Sequence, residues 1–418
     1  METLSHTENI SLLLSIGLML ISARLFGEFF RKFKMPLVVG ELIAGVVLGP
    51  SLLGAFAPKV SEYIYTHNDH ASLALNGITN ISIIMLLFVA GMELNLSLIR
   101  QQGKAAFSTS MFGLIIPLGL GFVTAYYAYE WYGRNSTDKV VFALFMGTSM
   151  AISALPVIAR TLIDLNLFKT KIGSIIITAA MFNDLIGWIL FSMIMGMLKG
   201  SANHSVVLTL LYTVAYAILM LTAGRFFINK SLPWAQRNFS WPGGFLSLSL
   251  GLAFLGAAFT EFIGLHAIFG AFIIGIAVGD SVLVTEKTKD IVSQFVTNIF
   301  APLFFVSIGF KVNFIANFDL QICAVVLVVA VIGKISGAFI GAKIGGLSNK
   351  ESLAIGFGMN ARGAMEIILA TLALQAKLIG EELYVAIVIM AVITSIMAGP
   401  MMNWLIKTKG NAEPSSTN

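Results

Sequence analysis

The sequence predicts an all-α polytopic membrane protein of about thirteen transmembrane helices, arranged as two halves of matching pattern. Three observations predict it. The 418 residues are 57% hydrophobic and only 11% charged, with a mean hydropathy of +0.89, too little polar surface for a soluble domain. Apolar runs of spanning length recur along the chain, broken by short polar loops. The fifth run of each half is interrupted by residues that suit a helix badly.

The first run, 10–30, is long enough to span and reads as a helix rather than a cleavable signal. Spans follow at 36–53, 73–93, 105–129, 139–161 and 172–198, and a seventh at 205–228 stands between the halves. The second half reads as 243–262, 265–280, 293–311, 320–345, 351–376 and 382–406, its first two short enough to merge or re-enter. Residues 1–406 thus form one integral membrane domain, and 407–418 a short polar tail.

Lysine and arginine set the orientation. With the N-terminus outside, the inner loops hold seventeen of them and the outer loops six; Arg24, Lys334 and Arg362 fall within helices. The positive-inside rule then predicts an outer N-terminus and a cytoplasmic C-terminus in a plasma (inner) membrane. It also explains the formal charge of +5 without a nucleic-acid partner. The single cysteine, Cys323, rules out a disulfide framework within one chain.

The fifth span contains Gly147-Thr-Ser-Met-Ala-Ile-Ser-Ala-Leu-Pro156, where Pro156 removes a donor and frees the carbonyl of Ile152. The twelfth contains Gly356-Phe-Gly-Met-Asn-Ala-Arg-Gly363, in which Gly358, Asn360, Arg362 and Gly363 all disfavour a plain apolar helix. Unpaired backbone at membrane depth is tolerated only where protein or a water-filled cavity supplies partners. Interrupted segments at matching ranks in two halves point to a transport site between inverted repeats.

Between them lies Asp184, in an apolar stretch where a carboxylate costs about 2.5–3.5 kcal/mol to insert. A carboxylate there can hold a proton or a dehydrated monovalent cation. Asn183 adds a neutral oxygen, and Thr148, Ser149 and Ser153 could complete an oxygen shell. Lys334, mid-span in the eleventh helix, is a candidate counter-ion for Asp184. Arg362 and Glu366 are four apart, so they share a helix face and read as a structural pair fastening the broken helix. No zinc spacing, phosphate loop or nucleophile–base set is present, so neither enzyme chemistry nor a cofactor is expected.

Several motifs in order carry a family resemblance. They are Pro36-Leu-Val-Val-Gly-Glu-Leu-Ile-Ala-Gly-Val-Val-Leu-Gly-Pro-Ser51, Leu86-Leu-Phe-Val-Ala-Gly-Met-Glu93, Pro302-Leu-Phe-Phe-Val-Ser-Ile-Gly309 and Met359-Asn-Ala-Arg-Gly-Ala-Met-Glu366. To these are added Ser153-Ala-Leu-Pro-Val-Ile-Ala-Arg-Thr-Leu162 and the Asn183-Asp184 pair. Over roughly residues 10–406 the chain resembles the second branch of the monovalent cation:proton antiporter superfamily. The resemblance implies a thirteen-helix inverted-repeat fold in which the broken fifth and twelfth helices cross beside Asp184. It also implies a dimerisation scaffold (about 10–93 and 243–311), a moving core (about 105–198 and 320–406), a linker helix (about 205–228), a homodimer and elevator-like alternating access. Asp184 matches that family's ion-binding aspartate and Lys334 its eleventh-helix lysine.

Two departures matter. Electrogenic members carry two adjacent aspartates, whereas Asn183-Asp184 offers one titrating carboxylate and implies electroneutral exchange of Na+ or K+ for H+ in pH and cation homeostasis. Related chains pair the twelfth-helix arginine with a glutamate five residues before the aspartate; here that place is Ala179, which leaves the partner of Arg362 open. The competing readings are a sodium-coupled symporter of an organic anion and a non-transporting sensor on the same fold.

Overall fold

The computed structural model describes residues 4–33, 35–64, 70–94, 103–132, 138–165, 167–168, 170–199, 206–239, 243–281 and 284–410. The first α-helices are α1 (His6–Lys32), α2 (Leu37–Leu48), α3 (Leu53–Phe56), α4 (Pro58–Ile64) and α5 (His70–Glu93). Next come α6 (Lys104–Tyr127), α7 (Lys139–Ala151), α8 (Leu155–Asp164), α9 (Lys171–Lys199), α10 (Val206–Leu219) and α11 (Arg225–Asn238). The remainder are α12 (Gly243–Phe262), α13 (Ala267–Gly279), α14 (Glu286–Phe295), α15 (Ala301–Lys311), α16 (Leu320–Ile344), α17 (Asn349–Met359), α18 (Ala364–Gln375) and α19 (Glu381–Gly410). Single π-helical turns, Met220–Gly224 and Val296–Phe300, join α10 to α11 and α14 to α15.

Each of the thirteen expected spans has a helix, but they are not thirteen continuous crossings. Among the described residues ten segments are long and apolar enough to span, and an eleventh is the pair α17 and α18, bent by 46°. The other two, α7 and α13, have 13 residues each, about 20 Å of helix against a hydrocarbon core of about 30 Å. The eighth and ninth spans do not merge: the chain turns between α12 and α13 at Gly264, whose φ of 86° is the left-handed conformation that glycine adopts freely. α19 runs on into the expected tail as far as Gly410; 411–418 lie outside the described residues.

The chain forms two compact units. One comprises residues 1–96 and 195–317, the other 97–194 and 318–418. The expected linker helix, 205–228, falls in the first unit's range.

Apolar burial gives little drive for association inside a bilayer, so close packing must supply it, and small residues allow the closest packing. In the first unit α2 and α15 meet backbone to backbone. A Cβ on Gly309 would fall 1.9 Å from the Gly45 carbonyl carbon, and one on Gly49 1.9 Å from the Gly309 oxygen. Gly91 of α5 meets α13 in the same way, a Cβ there falling 2.2 Å from the Phe272 oxygen. Gly309→Ala is therefore expected to cost about 1–3 kcal/mol of stability, the usual range for overpacking. Gly17→Ala, which adds a methyl with nothing within 4 Å, should be silent. Thermal unfolding of both variants in detergent checks this, and equal midpoints would refute it.

In the second unit the seam lies between α6 and α16. Gly333, Gly337, Gly341 and Gly345 recur every four residues and so line one face of α16. Cβ atoms on the last three would fall 2.2–2.5 Å from atoms of Phe112, Ser108 and Ala105 on α6. Capping holds the element ends. Asp138 accepts from Val140 and Val141 at the start of α7, Asp319 from Gln321 and Ile322 at the start of α16, and Ser348 with Glu351 forms a capping box on α17.

Candidate functional site

All the singled-out residues fall in the second unit. The fifth span breaks where three extended residues, Ile152 to Ala154, separate α7 from α8. Pro156 does not interrupt a helix, as the sequence reading had it. It sits in the first turn of α8, where the N–H it lacks would have no intrahelical partner anyway. The twelfth span breaks over Ala361 to Gly363, between α17 and α18. The two breaks are bonded to each other: Ala154 N–H donates to the Ala361 carbonyl at 2.9 Å, and Ser153 Oγ to the Met359 carbonyl at 2.9 Å. Gly363 is needed for this approach, since a Cβ there would lie 2.9 Å from Val157 Cγ2.

A helix end leaves four carbonyls without intrahelical partners, and at membrane depth each must find a donor. At the end of α7 the last i→i−4 bond goes to Thr148, and the next three carbonyls are met by side chains. The Thr148 carbonyl accepts from Ile152 N–H at 3.3 Å. The Ser149 carbonyl accepts from Arg362 Nη1 at 2.7 Å and the Met150 carbonyl from Arg362 Nη2 at 2.6 Å. The Ala151 carbonyl accepts from Lys334 Nζ. Two buried cations thus cover the negative end of this helix, the placement that its dipole favours.

Arg362 has a partner after all, in the glutamate four residues on, in the first turn of α18. Its Nη1 lies 2.9 Å from Glu366 Oε2, with both side chains buried. Ser149 Oγ donates to the other carboxylate oxygen at 2.5 Å, and Ser395 Oγ meets the Arg362 carbonyl. The Ser149 and Ser153 hydroxyl protons, read from sequence as part of an oxygen shell, are thus committed to Glu366 and Met359. Each oxygen keeps its lone pairs. Thr148 is buried beside them.

Lys334 is fully buried and its three ammonium hydrogens find three acceptors. One is the Ala151 carbonyl and a second the Gly113 carbonyl at 3.0 Å. The third is Asn183, whose amide is satisfied when Nδ2 donates to the Ser110 carbonyl at 3.0 Å and Oδ1 accepts from Lys334 Nζ at 3.0 Å. The Gly113 carbonyl is available because Pro117, four residues on within α6, has no N–H to offer it. Sequence reasoning missed this acceptor; the signal was a proline inside an apolar span. Asp184, 1% exposed on α9, lies close enough to Lys334 to act on it electrostatically, as do Arg362 and Glu366. Asn360 is buried at the second break, and among the described residues neither amide atom has a hydrogen-bond partner.

Around the two breaks, then, the carboxylates Asp184 and Glu366 balance Lys334 and Arg362 in formal charge. Glu366 is fastened between Arg362 and Ser149, whereas Asp184 stands beside an amide and an ammonium that are held by backbone carbonyls.

The chain is 34% identical over 389 residues to a Na(+)/H(+) antiporter, NhaS4, from Synechocystis, covering 91% of this chain and 93% of that protein. It is 28% identical over 403 residues to the Na(+)/H(+)-K(+) antiporter GerN of Bacillus cereus, covering 96% and 98%. The fold matches that of the sodium proton antiporter MjNhaP1 from Methanocaldococcus jannaschii, with a TM-score of 0.63 over 96% of this chain and 98% of that one, at 16% identity. Residues 17–408 match the family described as sodium/hydrogen exchanger, transmembrane. With that match running almost end to end, the chain belongs to the sodium/hydrogen exchanger family of membrane transporters.

Proposed function

We propose that this chain exchanges Na+ or K+ for H+ across the membrane, one for one, with Asp184 as the shared carrier. The observation that carries the reading is the charge balance at the breaks. With Asp184 empty, the two buried carboxylates and two buried cations cancel; with Asp184 holding either a proton or a monovalent cation, the site has the same net charge of about +1. Both loaded forms therefore cross the same electrostatic barrier. The names of the relatives, which specify sodium, potassium and proton exchange, support the same ions.

In this mechanism Lys334 stabilises the empty carboxylate. An arriving cation takes over that role, with Asn183 Oδ1, the Ser149, Ser153 and Thr148 oxygens and carbonyls at the breaks as candidate ligands. Arg362 and Glu366 keep the crossing intact whichever ion is bound. The seventeen-to-six asymmetry of basic residues supports an outer N-terminus and a cytoplasmic C-terminus in a plasma (inner) membrane. The chain works as a homodimer.

The test is proton movement in liposomes with an internal pH dye after Na+ or K+ is added outside, with the membrane potential clamped at either sign. The expected result is cation-driven proton movement whose rate is independent of the potential. Flux driven by voltage alone would overturn the one-for-one stoichiometry. No proton movement with either cation, from protein that is folded by size exclusion, would overturn exchange itself.

A further inference from the structure

The first unit contains a cavity of about 250 Å³ that plays no part in the site just described. It is framed by the early turns of α1 and α5, the end of α4 and the last turn of α15, which all present their ends at one level. α1 has 27 residues, about 40 Å of helix, so it overhangs a hydrocarbon core of about 30 Å. Ser11 and Ser15, five and nine residues from its start, therefore sit near the boundary between hydrocarbon and headgroups.

The lining has a definite polarity. Ser11 and Ser15 both donate to the Ile64 carbonyl, at 3.0 and 2.7 Å, and Ser307 donates to the Phe304 carbonyl at 2.7 Å. Those hydroxyl protons are committed. Lys311 lines the same cavity, and among the described residues it has neither an ion-pair nor a hydrogen-bond partner. Ser72 and Asn76 on α5 are further donors that no acceptor among the described residues claims, and Asn76 lies exposed at the mouth. Leu12, Leu75 and Phe310 add apolar side chains to the same lining.

An ammonium without a charge partner among the described residues, two neutral donors and apolar side chains in one lining suit an oxyanion that arrives attached to something greasy. We propose that this pocket binds the phosphate of an anionic phospholipid headgroup, with Lys311 Nζ as its charge partner and Ser72 and Asn76 as hydrogen-bond donors. A free anion could meet the donors but would leave the apolar side chains facing water. The cavity is large enough for a phosphoglycerol head, while the acyl chains remain in the bilayer.

The test is thermal unfolding of the full chain in detergent, titrated separately with phosphatidylglycerol, phosphatidylcholine and inorganic phosphate. Phosphatidylglycerol is expected to raise the midpoint of the wild type at concentrations about tenfold below phosphatidylcholine. Lys311→Gln should remove that preference and Lys311→Arg retain it. Asn76→Ala, at the exposed mouth, should weaken it about threefold and provides the decision if Lys311→Gln does not fold. Equal stabilisation by the two lipids, or a preference unchanged in the folded variants, would overturn the proposal. So would Lys311-dependent stabilisation by inorganic phosphate alone, because it would assign the pocket to a soluble anion.

Discussion

Asp184→Asn is expected to abolish cation-driven proton movement while leaving the fold in place. The substitution keeps shape and hydrogen-bonding capacity and removes only the charge. A neutral amide neither takes up a proton at ordinary pH nor draws a dehydrated cation out of water. If the carboxylate's charge contributes about 3 kcal/mol to holding the ion, the loss is at least about 100-fold in apparent affinity. Lys334 would keep its three acceptors, Gly113, Ala151 and Asn183, so its burial remains satisfied without Asp184. Liposome flux measured on folded Asp184→Asn decides the matter. Residual exchange within a few-fold of wild type would place the carrier elsewhere, with Glu366 the next buried carboxylate in that unit.

Arg362→Met should be the most destabilising single change in the second unit. It leaves the Glu366 carboxylate buried without its cation and the Ser149 and Met150 carbonyls without donors. Breaking a buried ion pair from one side costs about 3–5 kcal/mol. Arg362→Lys should not rescue it. The native contacts use two nitrogens of one planar group to reach two successive carbonyls, which a single ammonium on a flexible stem does not reproduce. The double change Arg362→Met with Glu366→Leu should cost clearly less than the two singles added together, since both charges leave at once. Thermal unfolding in detergent supplies the comparison. Full stability in Arg362→Lys, or strict additivity in the double variant, would show that this network does not hold the crossing.

How much of this was legible in the sequence follows from what each residue's environment depends on. Asp184 declared itself because a carboxylate in an apolar span is conspicuous whatever surrounds it. The spacing of four between Arg362 and Glu366 made their pairing legible, although Arg362 lies in the break before α18 rather than on the helix. Composition and hydropathy placed a helix in each expected span, yet overstated their continuity: run length cannot distinguish α7 followed by an extended break from one straight span. The break was placed at Pro156 because proline is read as a helix breaker, whereas proline at a helix start breaks nothing. The acceptors of the Ser149 and Ser153 hydroxyl protons, Glu366 and the Met359 carbonyl, are out of reach of a sequence reading because they are more than 200 positions away. Pro117 marks the Gly113 carbonyl as free, but its donor is 221 residues downstream and sequence does not reveal it.

The glycine seam between α6 and α16 has a mechanical consequence. Two helices that meet through side chains can slide, because rotamers adjust and absorb the displacement. Where the contact is backbone on backbone, as at Gly337, Gly341 and Gly345, nothing at the joint can flex, and the pair behaves as one stiff beam. Lys334 is carried on one member of that beam, and the Gly113 carbonyl that accepts its hydrogen bond is carried on the other. The ammonium is thus clamped in position by the skeleton itself, and any motion that accompanies ion exchange must carry donor and acceptor along together.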